Sequence, residues 1–214
     1  MPALTKTQFV EMLHRSERVI DEHHVALSEL DGELGDGDHG VTILRTMRAV
    51  TAACDEGQDQ PFAALLKGVA MKVMMCDGGS TSPLFGSYFL GLATGAADDE
   101  LTAEQAAAMF EAGLERFAAT SKAHVGDKTM LDALAPATEA LATELRRSGD
   151  APRAFAAAAE AAAQGAARTA DLVARFGRAR LMGERSVGHL DPGAQSISFI
   201  FQGFAQTREG NVDA

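Results

Sequence analysis

Apolar residues in this chain recur three and four positions apart and almost never alternate, so helices are the regular structure open to most of its length. Phe9, Met12, Leu13, Ile20 and Leu27 mark one face of the first segment. Helix starts are legible. Thr102 with Gln105 forms a capping-box pair ahead of Met109, Phe110 and Leu114. Ser82-Pro83, Asp191-Pro192 and the neighbourhood of Pro61 each put a capping-type residue or a proline where a helix would begin. Residues 151–175 are alanine-rich, weakened at Gly165, and read as a long helix packed closely on its neighbours. Ile197-Ser-Phe-Ile-Phe201 is a strand candidate, but Ile197, Ile200, Phe201 and Phe204 fit a helix face equally well. The pattern predicts an all-α chain with helices at about 5–30, 40–55, 61–76, 83–96, 102–120, 127–145, 151–176 and 192–207.

At 214 residues the chain is long enough for one well-cored domain, expected to span 1–214. A formal net charge of −11 argues against a nucleic-acid partner, which would select a basic face. Cys54 and Cys76 cannot build a disulfide scaffold or a four-cysteine zinc site. The start, Met-Pro-Ala-Leu-Thr-Lys-Thr, lacks a signal-peptide apolar core, and no stretch of 18 apolar residues suggests a membrane span. A cytoplasmic location with no membrane partner is the expectation. The Asp21-Glu-His-His24 pair of histidines reads as surface, because adjacent helical residues point in different directions. Met74-Met75 reads as core filling.

Asp31-Gly-Glu-Leu-Gly-Asp-Gly-Asp-His-Gly40 carries four carboxylates, Asp31, Glu33, Asp36 and Asp38, and a histidine on four glycines. Acids this close repel one another unless a cation sits among them, and oxygen-only ligands suit a hard ion such as Mg2+. Gly35-Asp-Gly-Asp-His-Gly40 also satisfies G-x-G-x-x-G, the dinucleotide and kinase glycine-loop pattern. Those loops present bare N–H groups to phosphate, whereas here the intervening positions are acids. A metal bridge to phosphates fits better than a direct cradle. The EF-hand template fails, since neither Asp31 nor Asp36 as first position gives acids at the third and fifth places and a glutamate at the twelfth. No G-x-x-x-x-G-K-[ST] occurs.

Three further segments break the helical pattern. Asp77-Gly-Gly-Ser-Thr-Ser-Pro-Leu-Phe-Gly86 offers two glycines and three hydroxyls where a helix would begin, a ready anion site. In Ser121-Lys-Ala-His-Val-Gly-Asp-Lys-Thr-Met130, Asp127 reads as a helix cap and Lys128 falls in the first turn, against the helix dipole. That placement suits a lysine serving an anionic ligand. The stretch 175–193 joins Arg175, Arg178, Arg180 and Arg185 with glycines at 177, 183, 188 and 193, and is long enough for a lid. Arginine can neutralise a phosphoryl group in transfer. An acidic metal loop, a Gly-Ser-Thr helix start and an Arg-rich loop are together the parts of a Mg-nucleotide phosphotransfer site. Neither a cysteine nor a serine has a recognisable base, and phosphoryl transfer requires none.

These residues resemble the L subunit, or nucleotide-binding domain, of dihydroxyacetone kinases. The matching pieces are Leu30-Asp31…Gly35-Asp-Gly-Asp-His-Gly40, Gly78-Gly-Ser-Thr-Ser-Pro-Leu-Phe-Gly86, Gly126-Asp-Lys-Thr-Met-Leu-Asp132 and Gly177-Arg178…Gly183-Glu-Arg-Ser-Val-Gly-His-Leu-Asp-Pro-Gly-Ala194, in the family's order over nearly the whole chain. The resemblance implies an antiparallel eight-helix barrel with the nucleotide at one end. It implies Mg2+ ions, two in number, on Asp31, Asp36 and Asp38. Contacts to ADP or ATP would come from His39, Gly40, Val41, Thr42, Ser80, Thr81, Ser121, Met130, Arg178, Asp191, Pro192 and Gly193, with Arg178 the catalytic residue. The second motif usually reads Gly-Gly-Ala-Ser-Gly-Pro, so Ser80-Thr81-Ser82 departs from it, and Ser121 stands where glycine is usual. Both departures keep small or hydroxyl-bearing groups.

The substrate-holding K domain of that family is absent here, so the resemblance implies a separate K subunit as partner. Single-chain relatives use ATP. Split bacterial systems keep ADP bound and recharge it from a phosphotransferase-system protein carrying phosphohistidine, the arrangement a lone L chain favours. An ATP-using split kinase for dihydroxyacetone or a four-carbon ketose, and a nucleotide-sensing module without catalysis, are the competing readings. A Mg2+-dependent hydrolase would need a residue to orient water, and none is evident.

Overall fold

Short connections force successive helices to run in opposite directions, and an amphipathic helix buries its stripe most fully between two such neighbours. The computed structural model describes residues 2–206 and shows that arrangement closed on itself. Its helices are α1 (Lys6–Leu34), α2 (His39–Glu56), α3 (Phe62–Met74), α4 (Thr81–Gly95), α5 (Ala103–Ser121), α6 (Leu131–Ser148), α7 (Ala151–Arg168) and α8 (Pro192–Ala205). Each packs on the next, and α8 returns to α1, giving an antiparallel eight-helix barrel among the described residues. Position 207, the expected end of the last helix, lies outside them. Ile197–Phe201 is helical, within α8. No described helix is long and apolar enough to cross a membrane.

Alternation sorts the helix ends. The starts of α1, α3, α5 and α7 gather at one end, called here the floor, and those of α2, α4, α6 and α8 at the other, the rim. On the floor side, β1 (Leu4–Thr5) pairs antiparallel with β2 (Glu100–Leu101) and ties the beginning of the chain to the α4–α5 connection. Aromatic rings fill the barrel interior toward that side. Phe9, Phe62, Phe110 and Phe155 come from the four floor-starting helices, and Phe204 from the last turn of α8. Their centroids lie 5.6–6.3 Å apart, mostly edge to face, the geometry aromatic quadrupoles favour.

Small residues set how closely the helices approach. Ala154, Ala158, Ala162 and Ala166 are buried along one face of α7, and a Cβ at Gly165 would stand 2.2 Å from the carbonyl oxygen of Asp132 on α6. This is why an alanine-rich segment is stable here: its backbone, not its side chains, fills the space.

Several boundaries differ from the sequence reading. The first helix runs on to Leu34, so Asp31 and Glu33 sit in its last turn rather than in a loop. The sixth begins at Leu131 on Met130, and Asp127 does not cap it. Asp127 instead accepts a hydrogen bond from the His124 N–H, while Asp132 accepts from the N–H groups of Gly126 and Thr129, which winds the chain once more before the helix starts. The seventh ends at Arg168, because the Thr169 hydroxyl accepts from the Asp191 N–H and the chain turns there to meet the start of α8. Likewise α4 starts on Ser80, so Ser82 is a first-turn residue and not its cap. Met75 is well exposed and Met74 is partly exposed, lying against Gly86, so the pair does not fill the core.

The tightest helix contact generates a test. A Cβ at Gly40 would lie 1.8 Å from the His24 carbonyl oxygen, where α2 crosses α1. Gly40→Ala therefore destabilises the fold by about 2 kcal/mol, read from the midpoint of urea unfolding. An unshifted midpoint would show that the two helices are not in contact there.

Candidate functional site

Four connections meet at the rim, and between them opens a cleft of about 500 Å³. Its polar half begins with the carboxylates. The last turn of α1 delivers Asp31, and the short Gly35–Asp38 link, with Gly37 at φ +76°, folds Asp36 and Asp38 back over it. One ligand oxygen from each of the three lies within 4.8 Å of the others. An octahedral Mg2+ with oxygens at about 2.0–2.1 Å sets its ligands about 3–4 Å apart, so a small closure suffices to seat one. All-oxygen donors and partial exposure are the chemistry of a hard divalent cation, and the residues present fit Mg2+. Glu33 takes no part. It points across to His189, Oε2 to Nδ1 at 2.8 Å.

Arg178 forms an ion pair with Asp36, reaching it from the loop between α7 and α8. Arg175 from the same loop pairs with Asp127 at 3.6 Å. Arg180 and Arg185 are exposed. One of the four arginines thus stands over the aspartates.

Three of the four floor helices carry a side-chain cap, α3 on Pro61 being the exception, against one of the four rim helices. Thr5, Thr102 and Asp150 cap α1, α5 and α7 through side-chain oxygens. Asp38, Ser80 and Met130, on which α2, α4 and α6 begin, make no such cap bond. The positive ends of three helix dipoles therefore face the cleft and favour an anion there, although the His39 N–H already reaches Asp31 and the Leu131 and Asp132 N–H groups reach Thr129. Only α8 is capped, by Asp191, whose Oδ2 accepts from the Ala194 N–H at 2.7 Å. Burial pushes the Asp191 carboxyl up to about 7, with the charges of Asp132 and Asp31 adding to the rise.

Of the sequence-derived residues, Asp31, Asp36, Asp38, His39, Thr42, Ser80, Thr81, Ser121, Met130, Arg178, Asp191, Pro192 and Gly193 all line the cleft. Gly40 and Val41 do not. Gly40 is pressed against α1, and Val41 is on the outside of α2, 52 % exposed. His39 lines the wall without serving as a free base: Nε2 lies 3.3 Å from the Ser196 hydroxyl, and burial lowers its pKa to about 4 against the pull of Asp31, so the ring is neutral at pH 7. The Lys128 ammonium is buried and donates to the carbonyls of Thr169 and His189. The helix-dipole argument made for it fails, since its charge lies at the C-terminal end of α7.

The opposite half of the cleft is apolar, with Leu84, Phe117, Met130 and Phe176 among its lining. Sequence reasoning missed Phe117 and Phe176, because each falls in an apolar pattern indistinguishable from core.

The comparisons with known proteins meet this geometry. The family profile described as DAK2 domain matches residues 33–206. The chain belongs to the DAK2 domain family. This DAK2 chain is 36 % identical over 201 residues to the "PEP-dependent dihydroxyacetone kinase, ADP-binding subunit DhaL" of Escherichia coli (strain K12), covering 94 % of this chain and 96 % of that one. It is 35 % identical over 199 residues to the "PTS-dependent dihydroxyacetone kinase, ADP-binding subunit DhaL" of Lactococcus lactis, covering 93 % and 96 %. The L-erythrulose 1-kinase of Mycolicibacterium smegmatis is 33 % identical over 202 residues, with 92 % of this DAK2 chain spanning 35 % of that longer protein. Among solved structures, the dihydroxyacetone kinase of C. freundii in complex with AMP-PNP and Mg2+ aligns with a TM-score of 0.70 at 26 % identity, over 96 % of this chain and 34 % of that one.

The carboxylate cluster makes a direct prediction. A millimolar excess of Mg2+ or Mn2+ over the ligand-free chain raises its melting temperature by mass action, and Asp38→Asn abolishes the rise. An equal response in the variant would detach the cluster from metal binding.

Proposed function

We propose that this chain is the nucleotide-binding subunit of a dihydroxyacetone kinase, which presents a nucleotide's terminal phosphoryl group to a ketose held on a separate K subunit. The convergence of Asp31, Asp36 and Asp38 within 4.8 Å at a mouth ringed by uncapped helix starts carries the reading. Mg2+ held by those aspartates, two ions in the family pattern, neutralises phosphoryl oxygens when bound. The remaining roles belong to the chain itself. The positive dipole ends of α2 and α4, with the hydroxyls of Thr42, Ser80 and Thr81, receive the phosphates. Leu84, Phe117, Met130 and Phe176 give an apolar slot for the base, beside Ser121 and under Asp191, Pro192 and Gly193. Arg178 exchanges its contact with Asp36 for the transferring group and is the catalytic residue.

The two DhaL subunits match end to end, and their names give ADP-binding with PEP or PTS dependence. We extend this to the present chain: ADP stays bound and is recharged in place by a phosphohistidine-carrying protein of the phosphotransferase system, in the cytoplasm. A four-carbon ketose as acceptor, with ATP as donor, is the second reading, favoured by the erythrulose kinases among the relatives.

Mixing the chain with a K subunit, Mg2+, and either ATP or the phosphorylated carrier separates donors; dihydroxyacetone against erythrulose separates acceptors. Product is expected from the carrier with dihydroxyacetone. Asp36→Asn abolishes retention of Mg-ADP while circular dichroism stays helical, and Arg178→Gln lowers turnover about a thousandfold and speeds Mg-ADP release without abolishing its binding. Full turnover in Arg178→Gln would remove its catalytic role.

A further inference from the structure

Lys128 is the costliest side chain of the rim, and the site as described gives it no task. It is 2 % exposed, and its backbone is in the left-handed region at φ 61°, which favours glycine. A buried ammonium is retained only where its donors are matched. Here two carbonyls take two of the three donors, that of Thr169 at 2.6 Å and that of His189, and the charges of Asp191, Asp132 and Asp171 favour the cation. These oxygens belong to the opposite feet of the segment that leaves α7, carries Arg178 over the aspartates, and returns to α8. The ammonium also lies at the negative end of α7, where a cation is favoured.

Among the loop's other moorings the Arg175 N–H donates to the Asp127 carbonyl, and the side-chain contacts are weak. Arg178 to Asp36, Arg175 to Asp127 and His189 to Glu33 are partly exposed ion pairs, a class that contributes little. The feet touch directly through the Asp191 N–H on the Thr169 hydroxyl and the Gly188 N–H on the Ala170 carbonyl. Lys128 adds the one buried charge that grips both feet at once, from a third element.

We propose that Lys128 is a positioning residue: its ammonium staples the two feet of the Arg178 loop and thereby sets where the guanidinium stands over Asp36. The proposal rests on the nucleotide reading above for its consequence, though not for the staple itself. Arginine, with several donors and a similar reach, would replace it. Glutamine would satisfy one foot, and methionine neither.

Trypsin reads the staple in the whole ligand-free chain, since Arg175, Arg178, Arg180 and Arg185 are cleavage points within the loop. Cleavage there is expected about tenfold faster in Lys128→Met, intermediate in Lys128→Gln and unchanged in Lys128→Arg. If Lys128→Met does not fold, the glutamine and arginine variants decide the matter. Wild-type cleavage in a folded methionine or glutamine variant overturns the proposal. Mg-ADP release then tests the consequence. Lys128→Met speeds it in the Arg178 chain, and adds less than about twofold in an Arg178→Gln background, because the two residues act as one unit. Equal acceleration in both backgrounds would show that Lys128 does not act through Arg178, and would overturn the positioning role. A loosened loop in a chain whose wild type binds no Mg-ADP would leave the staple standing and remove the nucleotide reading.

Discussion

Like charges must be held together against their repulsion, and the rest of this structure is organised around that necessity. Asp31, Asp36 and Asp38 sit within 4.8 Å of one another in an acidic protein. What holds them is covalent and steric: a helix end, a glycine at positive φ, and a link too short to let the side chains separate. Arg178 offsets part of the charge from across the cleft. A site built this way is primed for a cation, because any divalent ion that enters relieves a repulsion already present.

Ring closure does the complementary work for anions. In an antiparallel barrel every second helix must begin at the same end, so four N-termini are brought to the rim without any residue being selected for it. Capping chemistry then distinguishes the two ends. Three floor helices are capped by Thr5, Thr102 and Asp150, while α2, α4 and α6 at the rim begin without a side-chain cap. The aspartates and the rim helix starts thus face each other by topology, and the apolar wall with Phe117 and Phe176 completes the cleft.

Much of this was legible in the amino-acid sequence because it is locally encoded. Helical periodicity, the Thr102–Gln105 capping box and the Asp191-Pro192 start act over three or four residues, and the structure has each where the pattern puts it. The glycine-and-acid loop announced its chemistry for the same reason. What failed was decided at long range. The end of α7 answers to Asp191, twenty-two residues away, whose N–H claims the Thr169 hydroxyl. Lys128 looked like a dipole violation because the carbonyls it serves lie on another part of the chain. Gly40 falls within the motif yet serves a helix crossing, and no local signal separates close packing from ligand approach. Phe176 carries no mark to tell a cleft wall from a core.

The interlocked aromatic rings toward the floor have an implication for traffic. With Phe9, Phe62, Phe110, Phe155 and Phe204 packed across the interior, the barrel has no through-passage. Whatever occupies the cleft must arrive and depart by the same doorway. Any macromolecule that exchanges a group with that occupant must stand in the doorway while doing so. On the proposed reading, a partner seated there covers the occupant's way out.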